Sequence, residues 1–189
     1  MKTLSNPIGI LIVAGFSCSG KSNYIRDIVT RNPKFQNATP VYGYMFRQRL
    51  RDCLAPGDIF HLDLSGGNVS DGIQNQAFVS SHSLHQKTTS LHCSVTVDFL
   101  VAPADVIYQR ISKRSHVGLG WRDDNLKGKY PNLIKLRTLQ SAELSHRYDA
   151  WRIFFEDHGY QCNYFHSIGG SFLPLSNWSE AEAILKNSE

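Results

Sequence analysis

The chain has 189 residues, 41% hydrophobic and 19% charged, which is enough apolar material for one folded domain and excludes a disordered, fibrous or coiled-coil chain. No apolar run approaches the ~20 residues that span a bilayer, and the stretch from Met1 to Pro7 leads into no small-residue cleavage site, so a cytoplasmic protein with no membrane contact is expected. The net charge is +4, yet eight Lys/Arg face two acids between Arg110 and Arg137, a patch that attracts anions, phosphate first among them.

Ile8 to Ala14 is a continuous apolar run, the pattern of a strand covered on both faces of a parallel sheet. A helix follows from Lys21, with Ile25, Ile28 and Val29 on one face, and stops near Asn32-Pro33, because the residue before a proline avoids helical dihedrals. Tyr44 to Leu54 reads as a second helix and Ile59 to Leu64 as a second strand. The polar residues 65–90 carry one helical stretch around Gln74–Leu84. Val95–Val101, rich in β-branched residues, is a third strand, and Pro103 suits the first turn of a helix running to about Arg114. Three glycines and many charges make residues 115–130 a mobile, lid-like segment. Asn132 can cap a long helix ending before Gly159, in which Leu144, Tyr148, Trp151 and Phe155 form an apolar stripe. Cys162–Ile168 is a candidate edge strand, and Ser179-Glu-Ala-Glu182 matches a capping box opening a last helix.

Strands alternating with helices predict a single α/β domain: a three-layer sandwich with a mostly parallel sheet of about four or five strands and helices on both faces. The cysteines (Cys18, Cys53, Cys93, Cys162) are scattered, against both a disulfide framework and a zinc ribbon. His82 and His85, with His92 and Cys93 nearby, lack a second ligand pair at finger-like spacing, so ordinary surface histidines are the plainer reading.

Gly15-Phe-Ser-Cys-Ser-Gly20-Lys21-Ser22 fits G-x-x-x-x-G-K-[ST] at every fixed position, between a buried strand and an amphipathic helix. Glycines let the backbone turn successive N–H groups inward, and the helix N-terminus adds partial positive charge. With these residues the sequence resembles the P-loop NTPase superfamily. The resemblance implies that Gly15, Ser17, Cys18, Ser19 and Gly20 wrap a β-phosphate, that Lys21 reaches the β/γ oxygens, and that Ser22 ligates Mg²⁺.

Within the superfamily, GTPases are disfavoured because no N-K-x-D motif occurs, and Leu64-Ser-Gly-Gly67 lies too close to Gly15 to mark an ABC-type ATPase. The chain is similar to the small-molecule kinases, which include nucleoside-phosphate, shikimate and gluconate kinases. Such kinases often end the second strand in a carboxylate facing the acceptor hydroxyl, here Asp63, as general base or Mg²⁺ ligand. Asp98 is its rival for the metal side, in mid-strand on the face of Thr96 and Leu100. The Val97–Arg114 segment is similar to a strand, Pro turn and helix ending in lid arginines. That likeness makes Arg110, Arg114 and Arg122 candidates to meet the transferring phosphoryl oxygens, against the plain alternative of a solvated basic helix end.

The implied function is an ATP- and Mg²⁺-dependent kinase acting on a small molecule. Two alternatives stay open: a nucleotide-binding module acting through a partner, and a sulfotransferase using a 3′-phosphoadenosine donor. Nucleic acid is the least favoured partner, because the basic stretch carries only Trp121 and Tyr130 as interleaved aromatics.

Overall fold

The computed structural model of the chain describes residues 9–16, 18–35, 38, 40–42, 57–64, 85–86, 94–116 and 141–187. The uninterrupted apolar run becomes β1 (Ile10–Gly15), all six residues of which are buried. Successive side chains of a strand point to opposite faces, so a strand apolar at every position must be covered twice. On one face Leu11 and Val13 pack with Tyr24 and Ile25 of α1 (Lys21–Arg31). On the other, Ile10, Ile12 and Ala14 join a larger core with Ile107 of α2 (Ala104–His116), Leu144, Tyr148, Trp151 and Phe155 of α3 (Ser141–Asp157), and Ala181 and Leu185 of α4 (Trp178–Lys186).

The remaining strands are β2 (Pro40–Tyr42), β3 (Ile59–Asp63), β4 (Val95–Val101), β5 (Gln161–Ile168) and β6 (Ser171–Leu175). They form one sheet in the order β2-β3-β1-β4-β5-β6, parallel from β2 through β5, with β6 antiparallel to β5. An α/β fold with a mostly parallel sheet is therefore present, with six strands where four or five were expected. The two extra strands are short or interrupted: β2 has three residues and begins at Pro40, and β6 contains Pro174. Proline lacks the donor for a ladder, and both positions tolerate that, as a strand start and on an outermost strand.

Because β6 lies outside β5, the predicted edge strand at Cys162–Ile168 is internal. The last helix also starts earlier than its apparent capping box. Asn177 is the cap: its side chain accepts the Glu180 N–H at 3.1 Å, while Glu180 Oε2 accepts from the Ser176 N–H. Helix α2 runs two residues past Arg114, so residues 115 and 116 belong to it rather than to a loop. The rest of the lid-like segment, Arg122, the cap at Asn132, and the helices expected at 44–54 and 74–84 lie outside the described residues. Among the described residues no helix is long and apolar enough to cross a membrane.

The stripe predicted on α3 is real, with Leu144, Tyr148, Trp151 and Phe155 each no more than 1% exposed. At the C-terminal end of α3, His158 Nδ1 donates to the Phe154 carbonyl oxygen at 2.6 Å, and His85 packs edge-on against its ring. Residue 85 is thus partly enclosed by His158 and Tyr160. No group of three metal-ligating side chains occurs among the described residues.

Candidate active site

The geometry of the site follows from β1 being central. Gly15 pairs in register with Asp63 on one side and with Leu100 on the other, so the turn after β1 leaves the sheet between the carboxyl ends of β3 and β4. Chain connections from β1 lead to one side of the sheet, and the connection from β3 returns to the other. In open α/β sheets that reversal leaves a crevice at the carboxyl ends of the strands, where ligands bind.

Two left-handed residues shape the turn: Cys18 at φ 64° and Gly20 at φ 98°. Left-handed residues interspersed in a turn aim backbone N–H groups to one side, which is the geometry of an anion-binding concavity. The Ser19 N–H closes a tight turn onto the Phe16 carbonyl at 3.1 Å. Gly15 admits no side chain, because a Cβ there would sit 2.4 Å from Ser19 Oγ and 3.0 Å from the Leu100 carbonyl oxygen. The Ser19 side chain is fully buried, and its hydroxyl has no hydrogen-bond partner among the described residues. Ser17 lies outside the described residues.

A left-handed conformation costs a non-glycine residue roughly 1–2 kcal/mol. Cys18→Gly is therefore expected to leave stability unchanged or to raise it by up to about 1 kcal/mol. Cys18→Val, β-branched at the same φ, should lower it by about 1–2 kcal/mol. Urea unfolding of the two variants checks both signs.

Helix α1 begins directly after this turn, with Gly20 as N-cap, no side-chain cap and no acid in its first turn. Its first N–H groups have no acceptors within the helix, and its dipole places partial positive charge there. Lys21 is buried, its side chain 3% exposed, and its ammonium donates to the carbonyls of Gly15 and Phe16, each at 2.7 Å. Asp63 Oδ2 lies 3.9 Å from the same nitrogen, on a side chain 40% exposed. A buried ammonium must find acceptors, and here the turn supplies them from its own backbone, with one carboxylate beside it. Ser22 is exposed in the first turn of the helix. Lys21, Ser22 and Asp63, taken from the sequence as site residues, therefore do gather at the end of β1.

Arg110 also reaches the turn, but as a clasp. Its Nη1 donates to Ser167 Oγ at 3.0 Å and to the Cys18 carbonyl at 3.4 Å, and its Nη2 to the Ser167 carbonyl at 2.8 Å. It thereby ties the turn to the end of β5. The Gly20 position is equally close to that strand pair, since a Cβ there would meet Phe172 and Ser167 at 3.1 Å. Burial and the Arg110 cation lower the pKa of His166, the residue before Ser167, so its ring favours the neutral form. Arg114 lies one turn further along α2.

Asp98, the rival carboxylate, is placed elsewhere. It pairs with Val13, two residues before the turn, and is 6% exposed. Its Oδ2 accepts from the Tyr24 hydroxyl and its Oδ1 from Asn163 Nδ2, each at 2.9 Å. Both oxygens thus tie α1 and β5 to β4. Burial raises the Asp98 pKa despite those two donors, and burial together with Asp98 raises that of Tyr24. A carboxyl raised in the folded state binds its proton more tightly than in the unfolded chain. Its contribution is then fully favourable below the ordinary value of 3.8 and is lost as pH rises through the folded-state value. Asp98→Asn keeps both contacts if the Tyr24 hydroxyl turns to accept. The variant should gain on the wild type as pH rises from acid to neutral, measured by urea unfolding across that range.

One contact had no signal in the sequence. The Phe16 N–H donates to the Tyr148 hydroxyl at 2.9 Å, and that hydroxyl donates to the Leu100 carbonyl at 2.7 Å. Tyr148, read from the periodicity as core, is core by its ring and part of the site's frame by its oxygen.

What the arrangement can do chemically is hold an anion. It offers an uncapped helix N-terminus, a lysine and an arginine on the same turn, and one solvent-accessible carboxylate beside them. Set against known proteins, the sequence matches no family model, and no curated protein matches it.

Proposed function

We propose that the chain is an ATP- and Mg²⁺-dependent kinase that transfers the γ-phosphoryl group to a small acceptor. One observation carries the reading: a buried lysine at an uncapped helix N-terminus, on a turn with two left-handed residues, beside Asp63 at the carboxyl end of the neighbouring strand. A triphosphate entering the crevice offers Lys21 charged oxygens in place of two backbone carbonyls, and charge-assisted hydrogen bonds are roughly twice as strong as neutral ones. The amides of the turn and of the first helical residues take the β-phosphate.

Mg²⁺ is a hard ion that is usually held by one or two protein oxygens, several waters and substrate phosphates. The exposed Ser22 hydroxyl and the half-exposed Asp63 carboxylate are oxygen donors of that kind, so the residues present fit it. When bound, the ion neutralises charge developing on the phosphates. Asp63 then serves the metal or takes the proton of the acceptor hydroxyl. Arg110 and Arg114, with Arg122, supply positive charge toward the equatorial oxygens. The two separate cores on either side of the sheet support a three-layer, P-loop kinase-like arrangement for the single domain.

The test is turnover of ATP with Mg²⁺ across a library of small hydroxylated and phosphorylated metabolites. Acceptor-dependent ADP release supports the kinase. Nucleotide binding without acceptor-dependent turnover points instead to a nucleotide-binding module, and preference for a 3′-phosphoadenosine nucleotide over ADP points to a sulfotransferase. Failure to bind any nucleotide ends the reading.

A further inference from the structure

We propose that Tyr148 is a positioning residue for Lys21, acting through a single peptide bond; this rests on the phosphate-binding reading of the turn. The N–H that Tyr148 holds at 2.9 Å belongs to the Gly15–Phe16 peptide. The carbonyl of that same peptide, Gly15 O, accepts from Lys21 Nζ at 2.7 Å. A peptide unit is planar, so fixing the direction of its N–H fixes the direction of its C=O. The next carbonyl, Phe16 O, accepts from both the Lys21 ammonium and the Ser19 N–H, so the setting of this one plane passes into the whole turn.

Tyr148 is itself well anchored. Its ring is fully buried among core side chains, with Phe99 at a centroid distance of 6.3 Å, and its hydroxyl proton goes to Leu100, the residue that faces Gly15 in register. Burial, as the leading cause, holds its pKa above the ordinary range, so the hydroxyl keeps the proton it donates. The position of the lysine is thus referred to helix α3 and to the end of β4. The same hydrogen bond withdraws the Phe16 amide from any anion, as the Phe16 carbonyl withdraws that of Ser19, which leaves the amides after Ser19 to bind it.

The test uses the full chain, inorganic triphosphate as the probe, and two variants. Tyr148→Phe keeps the ring and removes the hydroxyl. Phe155→Leu perturbs the same helix and the same core where Phe155 meets Trp151 and Tyr160. Calorimetric titration should show Tyr148→Phe binding about tenfold more weakly, the scale of one hydrogen bond, while Phe155→Leu binds as the wild type does. Hydrogen exchange should show the Phe16 amide losing protection in Tyr148→Phe while amides within β1 keep theirs, a split that general loosening would not produce.

Wild-type affinity in Tyr148→Phe, or equal weakening in both variants, overturns the proposal alone. No triphosphate uptake by the wild type overturns the functional reading and the proposal with it. Should Tyr148→Phe fail to fold, exchange in the wild type still decides. Triphosphate should add protection to the amides of Gly20 and Lys21 and leave Phe16 unchanged; new protection at Phe16 would mean that the anion, and not Tyr148, is its partner.

Discussion

Lys21→Ala is expected to weaken nucleotide triphosphate binding by about 10- to 100-fold while leaving the fold intact. The estimate comes from losing at least one charge-assisted hydrogen bond, worth about 1.5–3 kcal/mol, at a site where water is largely excluded. The fold should survive, because removing the lysine also takes an ammonium out of a site that is 3% exposed. The Gly15 and Phe16 carbonyls lose a donor, and the vacated space lets water reach them, so unfolding free energy should change by no more than about 1–2 kcal/mol. Lys21→Arg should not restore binding, since a planar guanidinium cannot fit where a compact ammonium meets two carbonyls of the same turn. Titration with the triphosphate, alongside urea unfolding of the same samples, separates the two effects. Undiminished affinity in Lys21→Ala would remove the turn from the mechanism.

Trp151→Ala carries the largest expected effect on stability. Its side chain is 1% exposed and stacks on Phe155 at 5.7 Å, with Phe154 edge-on at 5.9 Å. Truncating a buried tryptophan typically costs about 3–5 kcal/mol in lost transfer free energy and in the cavity left behind. The indole N–H has no hydrogen-bond partner among the described residues, and removing an unpaired buried donor recovers about 1–3 kcal/mol, which brings the expected loss down to about 2 kcal/mol. A midpoint shift in urea at constant slope is the expected signature. A loss below about 1 kcal/mol would contradict close packing of α3 on the sheet.

The strand, turn and helix at the start of the chain could be read directly because each is a local pattern: an apolar run, glycines where only glycine fits, and a helical stripe. The α3 stripe was readable for the same reason, since Leu144, Tyr148, Trp151 and Phe155 lie on one face by period alone. Local ambiguity explains the misplaced cap of the last helix. Asn177-x-x-Glu180 and Ser179-x-x-Glu182 have the same spacing, and the choice between them is made by where β6 releases the chain. Strands β2 and β6 have no clear signal in the sequence, because a proline in a short run counts against a strand unless that strand has an open side, as those of Pro40 and Pro174 do here. What no local pattern could supply is pairing across the fold. Arg110 was selected as a phosphate ligand, and its observed partners, Cys18 and Ser167, come from two distant segments. Asp98 was weighed as a metal ligand, whereas its partners on α1 and β5 make it a tie between elements.

The central place of β1 also constrains the order in which the molecule can assemble. Its two neighbours begin at Ile59 and Val95, so the earliest and most apolar strand has no partner until much of the chain has been made. Contacts between distant segments are slow to form, because the intervening chain must be closed before any pairing repays it. The hydroxyl that fixes the turn arrives later still, on α3. During synthesis a ribosome-bound fragment ending before β3 would leave β1 without a strand partner on either side, and the last tie to its turn would form only once α3 has been made.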